Sequence, residues 1–431
     1  MIIKNANKLS LNNERKTILN LLEKGLVSIQ PDVYLKRIFK KRDNYLFIFK
    51  NKINLKKFKR IFLIGFGKGA FKTSLFLENL IKNNLKKGFV IDVKKAKIKK
   101  SKIEFTKGTH PLPSKINYQF TRKIKDYFLN NLNKNDLVFV IVYGGGSALF
   151  NLPVIDFKKY IEVNNLLLKS KANIYEMNTI RKHLDEIKGG GLAKILYPAK
   201  VISLIVSDVP GNDLSFIASG PTVKDETTID DAWKIIKKYK INKIVKKDDL
   251  KETVKDDKYF NNVKNILILS NLTILKEIEK EAKKLKIKSE IKKTDLKGEV
   301  SNVAKILLNE ILKSEKNLLI YGGETTVKVK GKGKGGRNQE LVLWFLKFLK
   351  EREIKKNIGI VSINSDGWDN TPYAGALGDQ ITLEKIKKLK IEIDKYLQNN
   401  DSYNFFKKVE DGIITGRLPT NVSDIILVFK F

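Results

Sequence analysis

RIFLIGFGKGAF, residues 60–71, decides the fold. An apolar, β-branched run breaks into glycines, and a helical pattern follows at once. The same unit recurs along the chain. LVFVIVY (137–143) runs into GGGSALF, VISLIV (201–206) into SDVPGND, and NILIL (265–269) into SN. NLLIY (317–321) runs into GGETT, and IGIVSIN (358–364) into SDGWDN. Short buried strands alternating with helices predict a mostly parallel α/β sheet covered on both faces. Ligands of such sheets sit beyond the carboxyl ends of the strands, where nearly every run here delivers Gly, Ser, Asp, Glu or Lys. Residues 11–30 read as an amphipathic helix with Ile18, Leu21, Leu22 and Leu26 on one face. The lysine-rich stretch 224–262 is the expected boundary, giving α/β domains over 1–240 and 241–431 with a site in the cleft between them.

The 431 residues suffice for two or three domains. The absence of cysteine excludes disulfides, thiolate metal sites and cysteine nucleophiles. The opening residues lack the apolar core of a secretory signal, and no apolar run is long enough to cross a bilayer. A soluble, cytoplasmic protein without a membrane partner is expected. The net charge of +38 does not make a nucleic-acid partner. Only nine of the 85 basic residues are arginine, and the lysines are spread along the whole chain. Such a field draws small anions. Glycine is more selective: fifteen of the 27 fall at 65–69, 144–146, 189–191 and 322–336.

GFGKGA (65–70) fits the dinucleotide fingerprint, with Asp92 at the distance of a ribose-binding acid. An NAD(P)H-dependent dehydrogenase is therefore one reading. Lys68, with Gly67 beside it, supports another, a cation at a helix N-terminus receiving phosphate or carboxylate. Gly144, Gly145 and Gly146 offer successive N–H donors and Ser147 a hydroxyl, an anion nest without the Walker A spacing. Leu149 breaks the nucleophile-elbow pattern around Ser147. RKHLDEIKGGG (181–191) gathers Arg181, Lys182, His183 and Lys188 on a helix expected to end at the glycines. His183 is a candidate for either a structural or a ligand-binding role, and His110 in THPLP for a structural one. Asp208 and Asp366 each follow a strand. They suit Mg²⁺ or a hydroxyl proton, or simply turn-closing Asx geometry. The inventory holds anion nests, cationic heads and acids but no nucleophile–base pair, as phosphoryl transfer requires.

In GGETTVKVKGKGKGGRNQE (322–340), GGETT ends a strand and offers Glu324. VKVKGK reads as a hairpin arm, and GGRNQE starts a helix where Gly335 and Gly336 expose donors beside Arg337 and Asn338. Together with GFGKGAF, GTHPLP, YGGGSALFNLP, RKHLDEIKGGGLA, SDVPGNDLSFIASGPTV and SDGWDNTPYAGALGD, this stretch resembles successive blocks of the glycerate 2-kinases. That class carries a C-terminal MOFRL domain. The resemblance covers nearly the full length and implies two α/β domains, the first Rossmann-like. It implies ATP- and Mg²⁺-dependent phosphorylation of D-glycerate at the 2-hydroxyl.

The resemblance implies that Lys68 and Arg337 match the family's catalytic lysine and arginine. Asp208, Glu324 and Asp366 lie in matching blocks, and we assign them to metal binding, Asp208 also to proton acceptance. Gly67, Gly144 to Gly146, Ser147, His183, Lys188 and Asn338 are the expected substrate and phosphate contacts. Some members have carried the label hydroxypyruvate reductase, which keeps that activity as an alternative, beside a non-catalytic phosphate-binding regulator. A monomer or homodimer is expected. Near the C-terminus the family reads GPTGTNVNDL, and this chain has GRLPTNVSDI (416–425), keeping Asn421 and Asp424 and adding Arg417.

Overall fold

A computed structural model describes residues 1–94, 100–170, 172–354 and 356–431. By packing, the chain divides into two units. A central unit holds Leu35–Ser207 and Asn212–Ile268, and a C-terminal unit holds Met1–Tyr34, Asp208–Gly211 and Leu269–Phe431.

In the central unit, β1 (Phe39–Arg42), β2 (Tyr45–Ile48) and β3 (Asn51–Asn54) form a small antiparallel sheet. The main sheet uses β4 (Arg60–Phe66), β5 (Leu85–Asp92), β6 (Ile103–Lys107), β7 (Asp136–Val142), β8 (Lys200–Val206) and β9 (Val263–Leu269). Its order is β6-β5-β4-β7-β8-β9. The ladders from β6 to β8 are parallel. β7 is buried at every position and β4 at all but Arg60, as expected of parallel strands covered on both faces. β4 lies between β5, which follows it in the chain, and β7, which comes later. The chain therefore changes direction across the sheet at β4 and β7, the switch point where ligands bind in such folds. The GFGKG and GGGSA loops leave the sheet side by side there. The Lys68 N–H donates to Gly144 O at 2.9 Å. A Cβ at Gly67 (φ 110°) would fall on the Tyr143 carbonyl, so only glycine permits this approach.

The C-terminal sheet departs from the parallel expectation. It uses β10 (Ser289–Glu299), β11 (Leu318–Thr326), β12 (Ile358–Asn364), β13 (Gly375–Gly378), β14 (Gly412–Ile413) and β15 (Asp424–Lys430), in the order β10-β11-β15-β12-β13-β14. Only β10 and β11 pair in parallel, and the remaining ladders are antiparallel. The last strand inserts between β11 and β12, running against both. Its first residue, Asp424, thereby stands opposite Gly323 and Asn364 at the far ends of those two strands. The core beneath packs Leu307, Leu308, Phe345 and Leu346 from the helices Val300–Lys313 and Arg337–Glu351.

GGETT ends β11, which runs to Thr326, so Glu324 belongs to the strand end as expected. Two local expectations differ from the structure. VKVKGK forms no hairpin; residues 327–336 hold neither helix nor strand. The N–H groups of Lys330 and Gly331 donate to Asn400 Oδ1 at 2.7 and 3.0 Å, and that of Gly333 to Asn399 O at 2.8 Å. The glycines are needed because a Cβ at Gly331 would strike the Asn399 carbonyl. Finally, the helix Asn13–Ser28 joins the C-terminal unit, so packing does not follow the linear 1–240 and 241–431 division. Gly25 lets it approach the helix Asn271–Lys284, where a Cβ would sit 2.6 Å from Ile278. Its Arg15 is wholly buried against Asp379 at 2.5 Å and Asp411 at 2.7 Å.

Candidate active site

The central unit presents the glycine loops with Lys68. Gly145 has φ 80°, and a Cβ there would lie 2.9 Å from the His110 ring and 3.1 Å from Lys68 Cε. No protein acceptor takes the N–H of Gly144 or Gly145 among the described residues. Gly146 approaches Ala218 so closely that a Cβ would come within 2.6 Å of its methyl. Ala218 and Ser219 themselves hold left-handed φ of 51° and 63°, a local strain that positions the IASGPT loop. The Ser147 and Ser219 hydroxyls lie 2.8 Å apart, and Ser219 Oγ donates to Asn178 Oδ1 at 2.9 Å.

Asp92 is turned inward. Its carboxylate accepts from the N–H groups of Gly69 at 3.0 Å and Phe71 at 3.2 Å, serving as a remote cap for the helix Ala70–Ile81. Two donors expected at that N-terminus are thus occupied, and the acid is not presented as a ribose-binding group. Burial nevertheless raises the Asp92 carboxyl above its ordinary range, against these hydrogen bonds.

The RKHLDEIK segment also differs from its expected shape. Its helix, Ile174–His183, ends before the glycines. Lys182 pairs with Asp225 at 2.7 Å and the buried Lys188 with Asp185 at 2.6 Å. His183 is buried, with Nδ1 2.9 Å from Thr179 O. Lys182 and Lys188 line a cavity of about 620 Å³ together with Asp185, Glu186 and Glu252. His183 and Lys188 therefore hold the fold from inside, with Lys188 fully committed to an acid.

In the C-terminal unit Arg337 opens its helix and is clamped by acids. Nε and Nη2 donate to the two Asp424 carboxylate oxygens at 2.5 and 3.0 Å, and Nη2 to Glu324 at 3.0 Å. Burial pushes the Glu324 carboxyl up to about 7; Arg337 pulls it down, while Asp424 and Asp208 push it further up. The Asp424 loop is built by Asn421, whose Oδ1 accepts from Ser423 N at 3.0 Å, and by Ser365, which accepts from Val422 N at 2.8 Å. Ser423 Oγ donates to Asp208 O at 2.8 Å.

Asp369, absent from the expected site, caps the Arg337 helix through the N–H groups of Asn338 and Gln339 at 3.2 and 2.9 Å. A Cβ at Gly336 would fall on that carboxylate. Asn338 is buried, and its amide bonds Asp369 and Ser362 and also acts on Asp424. Asp366 closes an Asx turn on Trp368 N at 3.0 Å. Arg417 stacks over the Trp368 ring at 4.1 Å. Trp368, Arg337, Thr325 and Gly336 share a cavity of about 390 Å³.

For a metal, no group of three or more His, Cys, Asp or Glu side chains is arranged to hold an ion among the described residues. Mg²⁺ asks for less, one or two carboxylates completed by substrate phosphates. Glu324 with Asp208 acting on it fits that need, and Asp366 accepts from Trp368 N in its own loop.

Known proteins carry the same arrangement of blocks. A sequence model described as a domain of unknown function (DUF4147) matches residues 17–253, and the MOFRL family model matches 317–424. A glycerate 2-kinase of Picrophilus torridus is 38% identical, with 99% of each chain covered. The chain belongs to the glycerate 2-kinase family. A D-glycerate 2-kinase of Thermotoga maritima is 34% identical over 96% of this chain and 97% of its own. The crystal structure of a Thermotoga maritima glycerate kinase superposes with a TM-score of 0.83 at 33% identity, covering 96% and 99% of the two chains. The two matched regions divide the site residues: Lys68 and the glycine nest fall in the first, Arg337, Glu324 and Asp424 in the second.

Two residues of this arrangement escaped sequence reading. Asp424 was visible only as a retained letter in a loop; its role needs the antiparallel insertion of β15. Asp369 lies in the quoted SDGWDN block, where spacing alone does not separate it from Asp366.

Proposed function

We propose that this protein transfers the γ-phosphoryl group of ATP to the 2-hydroxyl of D-glycerate, giving 2-phosphoglycerate and ADP. The observation that carries the reading is the Arg337 guanidinium, oriented by Asp424 and Glu324 in the block that matches the family's catalytic arginine. Phosphoryl transfer asks mainly for positioning and charge neutralisation, and a fixed planar fork supplies both. Lys68 binds the glycerate carboxylate or phosphoryl oxygens, and the N–H groups at Gly144 and Gly145 bind phosphate. Arg337 offsets the charge that spreads over the group in transit. Glu324 is the carboxylate that would hold Mg²⁺, which neutralises the phosphate oxygens when bound.

A carboxylate takes the proton released as the 2-hydroxyl oxygen bonds to phosphorus. Asp369 caps a helix, Asp366 closes a turn and Asp424 clamps Arg337. Asp208, which follows β8 and acts on the Glu324 carboxyl, is the proposed acceptor. The inward engagement of Asp92 speaks against the reductase alternative.

The test is ADP release with D-glycerate, ATP and Mg²⁺, run beside NADPH oxidation with hydroxypyruvate. The kinase reading expects turnover in the first assay alone. NADPH oxidation without ADP release would replace it with the reductase, and silence in both would favour a phosphate-binding regulator.

A further inference from the structure

Arg181, Lys182, His183 and Lys188 crowd the segment 181–188, and three of the four are accounted for. Lys182 and Lys188 have buried aspartate partners, and His183 sits on the Thr179 carbonyl. Arg181 differs. Among the described residues its one protein acceptor is the neutral Asn164, whose Oδ1 takes the Nε proton at 3.0 Å. No acid pairs with it, and burial lowers its basicity with only Tyr160 acting the other way.

Its helix and its electrostatic neighbours place it near the glycine nest. Asn178, one turn earlier on the same helix, accepts from Ser219, which touches Ser147 in the glycine loop. Both Arg181 and Lys68 act on His110, which packs on Gly145. Burial first, then these two cations, push that imidazole down to about 4, so it is neutral at physiological pH and leaves the positive charge to them. Lys68 too has no acidic partner among the described residues. Arg181 and Lys68 are thus two cations near one glycine nest, neither paired with an acid among the described residues.

We propose that Arg181 and Lys68 form a subsite for a substrate oxyanion group, carboxylate or phosphate, with the Arg181 fork as its specificity-determining contact. The inference rests on the kinase reading for the identity of the substrates, and not for the existence of the site. A guanidinium held by one Nε contact keeps its terminal N–H groups for a bidentate bond that lysine does not reproduce.

The experiment compares Arg181→Met and Arg181→Lys with wild type, after circular dichroism and thermal melts. Steady-state KM is measured separately for D-glycerate and ATP. Arg181→Met is expected to raise one KM at least tenfold with a smaller fall in kcat, and Arg181→Lys to recover part of it. A rise for D-glycerate identifies the carboxylate, and a rise for ATP identifies a phosphate. Both KM values staying within twofold, or a loss confined to kcat and melting temperature, would overturn the proposal. Should wild type not phosphorylate glycerate, calorimetric titration with D-glycerate and with inorganic phosphate still decides. Wild-type binding weakened tenfold in Arg181→Met supports the subsite, and equal or absent binding refutes it.

Discussion

Arg337 owes its value to its partners. Its fork is fixed by Asp424, itself buried and unable to turn away, and braced by Glu324. Replacing Arg337 with Lys keeps the charge but loses two of the three directed bonds. We expect kcat/KM to fall on the order of hundredfold, about 3 kcal/mol of transition-state stabilisation, with the melting temperature little changed. Steady-state kinetics on the folded variant checks this. Gly336 works differently, since its missing Cβ makes room for the Asp369 cap. Gly336→Ala should cost about 1–3 kcal/mol in denaturant unfolding, because the cap or the helix start must shift. The arginine was readable from the sequence, being one of nine in a lysine-rich chain. The aspartate that aims it was not, because the contact joins residues 87 positions apart.

At the scale of elements, the helix Arg337–Glu351 carries the proposed catalytic arginine at its first residue and an unusual acid in its first turn. Glu340 is buried, and its carboxyl is pushed up to about 7, mainly by burial, with Asn400 opposing and Glu299 and Asp369 adding to the rise. The folded state therefore favours the protonated form. The stability this gives is fully present below the unfolded value near 4.5 and is lost as pH rises through about 7. Glu340→Gln should stabilise the protein at pH 8 by on the order of 2–3 kcal/mol and have little effect near pH 4.5. Urea unfolding at the two pH values measures it; an equal effect at both would contradict the assignment. The strand–glycine–helix units were legible as elements because each is local in sequence. The direction of β15 was not, since IILVF reads the same in either orientation and its neighbours β11 and β12 are set by tertiary pairing.

Across the whole molecule, the chain returns to its beginning. Arg15 is buried in the C-terminal unit, between Asp379 and Asp411 and bonded to Thr382 at 2.9 Å. Arg15→Met would leave two buried aspartates short of a cation, with Lys385 on Asp411 alone. A loss of about 3–5 kcal/mol is expected, read as a lower denaturation midpoint. A linear division missed this link, because amphipathic spacing marks a helix without naming its partner. The glycine clusters fared better, as close backbone approach leaves a local trace. The proposed reaction, phosphorylation of glycerate at its 2-hydroxyl, is a chemical one. Phosphorus-31 NMR of the product formed from D-glycerate, ATP and Mg²⁺ tests it most directly. The proposed reaction gives a phosphomonoester coupled to the single C2 proton, formed on the order of a hundredfold more slowly by Arg337→Lys. A phosphate coupled to the two C3 protons, or no phosphorylated product, would contradict it.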